Sequence, residues 1–453
     1  MSLQKFWIEH LLYPAMEQFR GNQTRAFLTQ LKGSQFSPNL PAIQRRALTE
    51  LLLYCTRHVP AYRTFNLPPD EIRADPIAVL HRCIPPLRKI DFQTHPERYL
   101  SDAVAPDARI ENCTGGSTGE PTRFYMTRAQ VERYEAARWR GLSWYGITPG
   151  SRSVMLWGNP VELSTQRQRR QRLREGLLKN RRVLSAYALG EEHLMHDLAR
   201  LRRYRPAYLY GYATALAALA RLLEQSGQTL RLPLRAVVST SETLAEEQAR
   251  RFSRLFSCPV VNEYGARDAG ILAYSCPHGR LHLTAENCLV EVLDPVRLTP
   301  LPAGQTGVLA VTDLYSRAQP RLRYLLGDVG RLSDERCPCG RTLPVLAALE
   351  GREDALLVIQ GGTLVHGNLI GQLLRPLPGI QSFQFRQHTP SSATLLIVPL
   401  PGAAPDLPGM TKLLSHHLPG IAIHTETVAH IAPSPSGKVR YSIREFPLET
   451  EKV

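Results

Sequence analysis

The sequence predicts an α/β protein: a large N-terminal domain on mixed or parallel sheets with a β-rich subdomain, followed by a small α+β C-terminal domain. Three observations predict this. The 453 residues exceed what one compact core holds, so two or more domains are expected. Between about 128 and 265, short apolar runs alternate with helix-period segments, the pattern of helices layered on a largely parallel sheet. From about 281 the texture changes to short strands separated by turn residues.

The elements follow in order. "LPAIQRRALTELLLYCTRHVPAY" places Ile43, Leu48, Leu51, Leu52 and Cys55 on one helical stripe that ends near Pro60. An amphipathic helix is expected from Arg128 to about Tyr145, and "SRSVMLWG" reads as a buried strand. "RYRPAYLYGYATALAALARLLEQSG" gives strand, turn and helix; "LRAVVSTSETL", "AEEQARRFSRLF" and "PVVNEYG" give strand, helix and strand. "LHLTAENCLVEVLD", "TGVLAVTDL" and "RLRYLLGDVGRLS" are the short strands of the β-rich part. The joint between domains is placed at Gly351–Asp354, giving domains 1–352 and 353–453.

Composition excludes several classes. With 43% hydrophobic and 21% charged residues the chain is globular, and no apolar run reaches the ~18 residues of a membrane span. The N-terminal stretch carries Glu9 and Glu17 and no small-residue cleavage site, so a signal peptide is not expected and a cytoplasmic location is. The net charge of +15 owes much to "TQRQRRQRLREGLLKNRR" at 165–182. That stretch reads as a solvated arginine-rich helix or loop, or as a patch for a polyanion or an anionic membrane; no aromatic interleaves with its arginines, so base stacking and a nucleic-acid partner are not expected.

Eight cysteines in a long chain without a secretion signal argue against a disulfide framework. Cys276-Pro-His278 and Cys337-Pro-Cys339 offer three thiols and an imidazole, the ligand set of a closed structural zinc site, although two unrelated cysteine turns read the same way.

"NCTGGSTGEPTRFYMT" packs Thr114, Gly115, Gly116, Ser117, Thr118 and Gly119 together ahead of a proline. Such a loop persists where bare N–H groups close around an anion, most commonly phosphate, although an ordinary surface turn reads the same way. Four further stretches follow in order: "NEYGARDAG" (262–270), "RYLLGDVGRL" (323–332), "GREDALLVIQGG" (351–362) and "PSPSGKVR" (433–440). This order and spacing resemble the adenylate-forming superfamily, in its phenylacetate-CoA ligase-like and capsular-polysaccharide biosynthesis protein-like branch. "RHVPAYR", "RPAYLYGYATAL" and "CPCGRTLP" resemble that branch as well.

The resemblance implies an ATP-dependent acid–thiol ligase. A carboxylate is adenylated, and the acyl group then passes to CoA or to the phosphopantetheine of a carrier protein. It implies that 114–119 wraps the triphosphate, with Glu263, Tyr264 and Gly265 at the nucleotide and Tyr264 stacking on adenine. Asp268 matches the Mg²⁺-holding acid, Asp328 the ribose acceptor, Arg352 a second ribose or phosphate contact, Asp354 the hinge and Lys438 the catalytic lysine. Several positions depart from the pattern, among them Asp268 for the usual glutamate, Leu325 for Arg and Ala355 for an acidic residue. Glu120 stands where the loop usually has lysine, Arg267 where Thr or Ser is usual, and Leu326 where Thr is common. Tyr210, Tyr212, Ala213 and Ser241 match pocket-lining positions, with an aryl acid favoured by analogy. Transfer to an amine or hydroxyl acceptor, a non-enzymatic polyanion-binding protein and a degenerate homologue are the alternatives.

Overall fold

The structure, a computed structural model, describes residues 3–65, 67–114, 122–157, 175–185, 191–228, 230–374, 376–432, 441–446 and 448. The N-terminal region is helical: α1 (Leu3–Trp7), a π-helical turn (Ile8–Leu12), α2 (Tyr13–Arg20), α3 (Thr24–Ser34), α4 (Leu40–His58), α5 (Pro60–Arg63), α6 (Pro69–Ala74), α7 (Pro76–Cys83) and α8 (Lys89–Thr94). The proline breaks set this pattern, because proline is tolerated in the first helical turn but not in the interior. Pro41, Pro60, Pro69 and Pro76 all sit at helix starts.

A hairpin of β1 (Ile110–Cys113) and β2 (Arg123–Met126) leads into α9 (Arg128–Ser143). Then come β3 (Ser153–Trp157), a helical turn α10 (175–179), β4 (Arg181–Ser185), α11 (Glu191–Tyr204), β5 (Tyr208–Tyr212), α12 (Ala213–Gln225), β6 (Ala236–Thr240), α13 (Glu246–Phe256) and β7 (Val260–Ala266). These strands pair in parallel in the order β4-β3-β5-β6-β7. Helices cover the parallel part, with Leu216, Leu219 and Leu223 of α12 and Phe252 and Phe256 of α13 in one core against Leu156, Leu209 and Val237.

The sheet then changes direction rather than ending. β8 (Gly270–Ser275) pairs antiparallel with β7, and β9 (Leu281–Leu283), β10 (Cys288–Leu293), β11 (Thr306–Asp313), β12 (Tyr324–Ser333) and β13 (Val345–Arg352) extend the same sheet as β8-β9-β13-β12-β11-β10. The β-rich subdomain and the parallel part are therefore one eleven-stranded sheet. Five parallel strands and six antiparallel ones make it mixed, where the strand–helix alternation alone suggested a largely parallel one. Helices α4 to α7 pack on its far edge through Leu48, Leu51, Leu52 and Ile72 against Leu314 and Leu322. Ile43, expected on that buried stripe, is 37% exposed, because the core that covers α4 begins a turn later at Ala47.

Helix α9 crosses β8 at close range. A Cβ added to Gly141 would lie 2.2 Å from the Tyr274 ring, so only glycine permits this approach. After β13 the chain makes a 3₁₀ turn (Glu353–Ala355) and a hairpin of β14 (Leu356–Val358) and β15 (Leu364–His366). It then forms its own four-stranded sheet, β18-β17-β16-β19, from β16 (Ile380–Thr389), β17 (Ser392–Pro399), β18 (Ala422–Thr427) and β19 (Ser442–Arg444). Helices α14 (Asn368–Leu374) and α15 (Leu407–His417) cover this sheet, with Ile370, Leu374, Met410 and Leu414 packed on Phe385, Leu395 and Ile397. Among the described residues no helix is long and apolar enough to cross a membrane.

Candidate active site

In a parallel sheet all strand C-termini point the same way, and ligands collect beyond them. β7 carries Glu263 and Tyr264 at that end, and strand alternation sends their side chains to opposite faces. Glu263, 2% exposed, faces α9. It accepts from the Tyr210 hydroxyl at 2.5 Å, the Thr240 hydroxyl at 3.0 Å and Arg138 Nε at 3.3 Å. Its carboxylate is thus committed to the wall that holds Tyr210. Tyr264 goes the other way, and its hydroxyl donates to Asp328 Oδ2 at 2.9 Å. Burial, reinforced by the Asp328 charge, pushes that phenol well above the ordinary tyrosine range.

The second oxygen of Asp328 accepts from Arg352 Nη1 at 2.9 Å, and the same nitrogen donates to the Leu326 carbonyl at 2.8 Å. Asp328 and Arg352 are register partners on β12 and β13. Gly327 makes room for this arrangement: its φ is +72° and an added Cβ would lie 2.7 Å from Arg352 Nη2. Burial opposes the Arg352 charge, yet the Asp328 and Asp354 carboxylates outweigh it and hold the guanidinium above its ordinary value. Gly265 follows Tyr264 at an irregularity in the β7–β8 register. Asp354 lies in the 3₁₀ turn immediately beyond β13.

Asp268 sits in the turn between β7 and β8, 9% exposed. The Tyr324 hydroxyl hydrogen-bonds its carboxylate, and Arg321 Nη2 donates to its backbone oxygen at 2.6 Å. Tyr324, Arg321, Asp313 and Ser316 line a small polar gap behind it. On the open side a cleft of about 580 Å³ is lined by Arg88, Lys89, Leu326, Gly327, Arg352 and Glu353. Burial depresses the Lys89 ammonium below the ordinary lysine range, with Asp268 acting against that shift and Arg352 with it. Lys89, Arg321 and Tyr324 are the site residues that sequence reasoning misses. Lys89 opens the short helix α8, after a proline-broken stretch with no motif, and Arg321 and Tyr324 precede the Gly-Asp core of theirs.

The glycine loop springs from the β1–β2 hairpin. The Thr114 N–H donates to the Thr122 carbonyl and the Thr122 N–H to Thr114 Oγ1, both at 3.0 Å, so the two ends of the loop are clamped. Gly115, Gly116, Ser117, Thr118, Gly119 and Glu120 lie outside the described residues, as does Lys438. Arg267 is exposed and reaches the Cys113 carbonyl at 3.4 Å, which puts a cation at the base of that loop. Of the expected pocket residues, Tyr210 and Ala213 are buried, Tyr212 is half-buried at the end of β5, and Ser241 is exposed with a left-handed φ of 64°.

The expected metal ligand His278 is not in the cysteine cluster. It sits exposed in the turn, and the imidazole that joins Cys276, Cys337 and Cys339 is His282. The reason is the tightness of the turn: the Cys276 N–H donates to the Arg280 carbonyl at 2.9 Å, folding β9 back so that His282 pairs with Tyr274 beside Cys276. The four donor atoms lie within 4.8 Å of one another, with Cys276 Sγ 3.7 Å from Cys337 Sγ and Cys339 Sγ 3.2 Å from His282 Nε2. His282 Nδ1 lies 3.1 Å from the Leu343 carbonyl, the backbone contact that fixes the tautomer and leaves Nε2 free to ligate. Burial lowers the His282 pKa to about 4, which keeps the ring neutral.

Residues 113–313 match the family model described as AMP-binding enzyme. The chain is 28% identical to the phenylacetate-coenzyme A ligase of Thermus thermophilus over 71% of its length and 72% of the relative's. It is 23% identical to Protein CapK of Staphylococcus aureus over 80% of both chains. In fold it is similar to 2-hydroxyisobutyryl-CoA ligase in the postadenylation state, with a TM-score of 0.69 at 20% identity over 89% of each chain. It is also similar to ATP-bound MatB of Rhodopseudomonas palustris, with a TM-score of 0.53 at 18% identity over 73% of this chain and 66% of the other. Residues 113–313 thus carry the AMP-binding enzyme match, and over most of its length the chain is similar to the phenylacetate-CoA ligases and CapK.

Replacing Asp328 with alanine leaves the Tyr264 hydroxyl and the Arg352 guanidinium without their shared acceptor. The expected loss of stability is about 2–3 kcal/mol, read as a lower urea midpoint. The exposed Arg267→Ala is expected to stay within about 0.5 kcal/mol of the parent.

Proposed function

We propose that the chain activates a carboxylic acid with ATP, forming acyl-AMP and pyrophosphate, and then passes the acyl group to the thiol of CoA. The observation that carries this reading is the Tyr264–Asp328–Arg352 constellation at the C-terminal edge of the sheet, beside Asp268 and the clamped base of the glycine loop. An ionised carboxylate has about four lone-pair sites. Tyr264 and Arg352 take one on each oxygen of Asp328, so the remaining pair suits the two ribose hydroxyls. The loop at 114–119 serves the triphosphate. Arg267 at its base and Lys89 across the cleft supply cationic charge that the loop forgoes at Glu120.

The acid's carboxylate attacks the α-phosphorus and pyrophosphate leaves. Lys438, by its place in the motif, bridges the carboxylate and the α-phosphate as negative charge develops there. Asp268 fits a Mg²⁺ ligand, since Mg²⁺ takes one or two carboxylates together with substrate phosphates, and the ion neutralises phosphate charge when bound. Rotation of the small domain about Asp354 then admits the thiol. The fold overlays better on 2-hydroxyisobutyryl-CoA ligase after adenylation, at a TM-score of 0.69, than in its thioesterification state, at 0.58, in keeping with an adenylating arrangement here.

An aryl acid is the favoured substrate, supported by the Thermus relative's activity as a phenylacetate-CoA ligase and by the tyrosines at the end of β5. CoA is favoured over a carrier-protein phosphopantetheine on the same ground. ATP and CoA as co-substrates favour a cytoplasmic location. The cluster of Cys276, His282, Cys337 and Cys339 fits a closed structural zinc site in ligand type, ligand number and the backbone contact of its histidine.

Acid-dependent ATP–pyrophosphate exchange is expected with aryl acids and to fall at least ~100-fold in Lys438→Ala. Exchange with fatty or amino acids alone would overturn the aryl assignment, and absence of exchange with every acid would overturn adenylation. Metal analysis of the purified chain is expected to find zinc at one per chain. His282→Ala is expected to lose it and His278→Ala to keep it; the reverse pattern would return the ligand to the turn.

A further inference from the structure

The first helical run presents its apolar stripe outward. Ile8 and Glu17 face the protein, at 2% and 7% exposed. At four-residue spacing the opposite face carries Leu3, Trp7, Leu11, Ala15 and Phe19, and the four large side chains are 77%, 55%, 46% and 93% exposed. Phe6, beside them, is 43% exposed. A surface helix of a globular protein turns such a stripe toward the core. Here the inward contact is made by other positions: a Cβ on Gly150 would lie 3.0 Å from the Ile8 side chain, so the helix is seated through Ile8 and Glu17 and the stripe stays outside.

The neighbouring segment is cationic. Gln4 Nε2 donates to the Gly176 carbonyl at 3.4 Å, and Asn180 Nδ2 donates to the Gly150 carbonyl at 2.9 Å, which sets α1 beside residues 176–183. Lys179 and Arg182 are exposed there, and Arg152 and Arg182 both approach the Tyr204 ring. Glu175 answers them, and its carboxylate is already engaged by Lys179 at 2.9 Å and Arg181 at 3.4 Å. Leu177 and Val183 add 60% and 37% exposed apolar side chains to the same segment.

We propose that this face rests on an anionic lipid bilayer. Leu3, Trp7, Leu11 and Phe19 enter the headgroup–acyl boundary, while Lys179 and Arg182 face the lipid phosphates. Aromatic and aliphatic residues on one helix face beside lysine and arginine are the chemistry of interfacial binding. Charge decides against a second copy as the occupant. Two-fold pairing through this helix would bring the cationic segments of two chains of net charge +15 together, whereas an anionic surface complements them.

The test is co-sedimentation of the full chain with phosphatidylcholine vesicles, with and without phosphatidylglycerol, at low and high salt. Binding is expected to phosphatidylglycerol-containing vesicles only, and to weaken as salt rises. The triple variant Leu3→Ser, Trp7→Ser, Leu11→Ser is expected to reduce binding at least about tenfold, with unchanged circular dichroism because these side chains leave no cavity. Lys179→Glu with Arg182→Glu is expected to abolish the preference for anionic lipid, a second variant independent of the helix. Equal binding by parent and both variants would overturn the proposal. So would a parent that ignores both vesicle types and is a dimer by light scattering which the triple variant converts to monomer.

Discussion

A single carboxylate organises the region where the chain's motifs meet. Asp328 accepts from Tyr264, 64 residues before it, and from Arg352, 24 residues after it. Tyr264 belongs to the strand that leads into the Asp268 turn, and Arg352 is the last residue of β13, next to the turn into the C-terminal sheet. One side chain therefore ties the strand end bearing the proposed metal acid to the strand end from which the chain passes to the C-terminal sheet. A shorter side chain would leave the buried Tyr264 hydroxyl and the half-buried Arg352 guanidinium without their shared acceptor, so the geometry tolerates little drift. Gly327, with its left-handed φ, is what lets Arg352 reach across.

The same logic secures the helical N-terminal region to the sheet. Arg140 of α9, 1% exposed, donates to both oxygens of Glu286 at 2.8 and 2.9 Å, and Ser34 at the end of α3 donates to the same carboxylate at 2.6 Å. Arg323 Nε donates to Glu291 at 3.2 Å, and its Nη1 donates to the Ile84 carbonyl beyond α7 at 2.8 Å. Buried pairs of this sort add little over an apolar filling, but breaking one by removing a partner costs about 3–5 kcal/mol. They act as register pins, holding the proline-broken helices in one position against the β-rich strands. The cysteine–histidine cluster does the same on the other flank, where Trp144 of the α9 end stacks edge-on to His282.

Much of this was legible in the sequence, and what was not has identifiable causes. Period-2 and period-3.6 patterns locate β5, α12, β6, α13 and β7, because each buries one face. They carry no information about strand direction, so the reversal at β8 that joins the β-rich part to the parallel part is invisible until the sheet is seen. Motif order brings Tyr264, Asp268, Asp328 and Arg352 into one neighbourhood, but not the bonds among them. Glu263, expected at the nucleotide beside Tyr264, faces the other side of the sheet and holds Tyr210, a consequence of strand alternation. Lys89 opens α8, whose position follows the parallel bridge between Leu87 and Tyr324, a contact across more than half the chain. His282 rather than His278 joins the thiols because a hydrogen-bonded turn, not spacing, decides which imidazole arrives.

The central claim is that Asp328 uses its remaining lone pairs to hold both ribose hydroxyls. The direct test is calorimetric titration of the chain with AMP and with 2′,3′-dideoxy-AMP. At least about tenfold weaker binding of the dideoxy nucleotide is expected, the loss of two hydrogen bonds to a charged acceptor. An Asp328→Asn chain is expected to narrow that difference. Equal affinity for the two nucleotides would contradict it, leaving Asp328 as a structural tie between Tyr264 and Arg352 and nothing more.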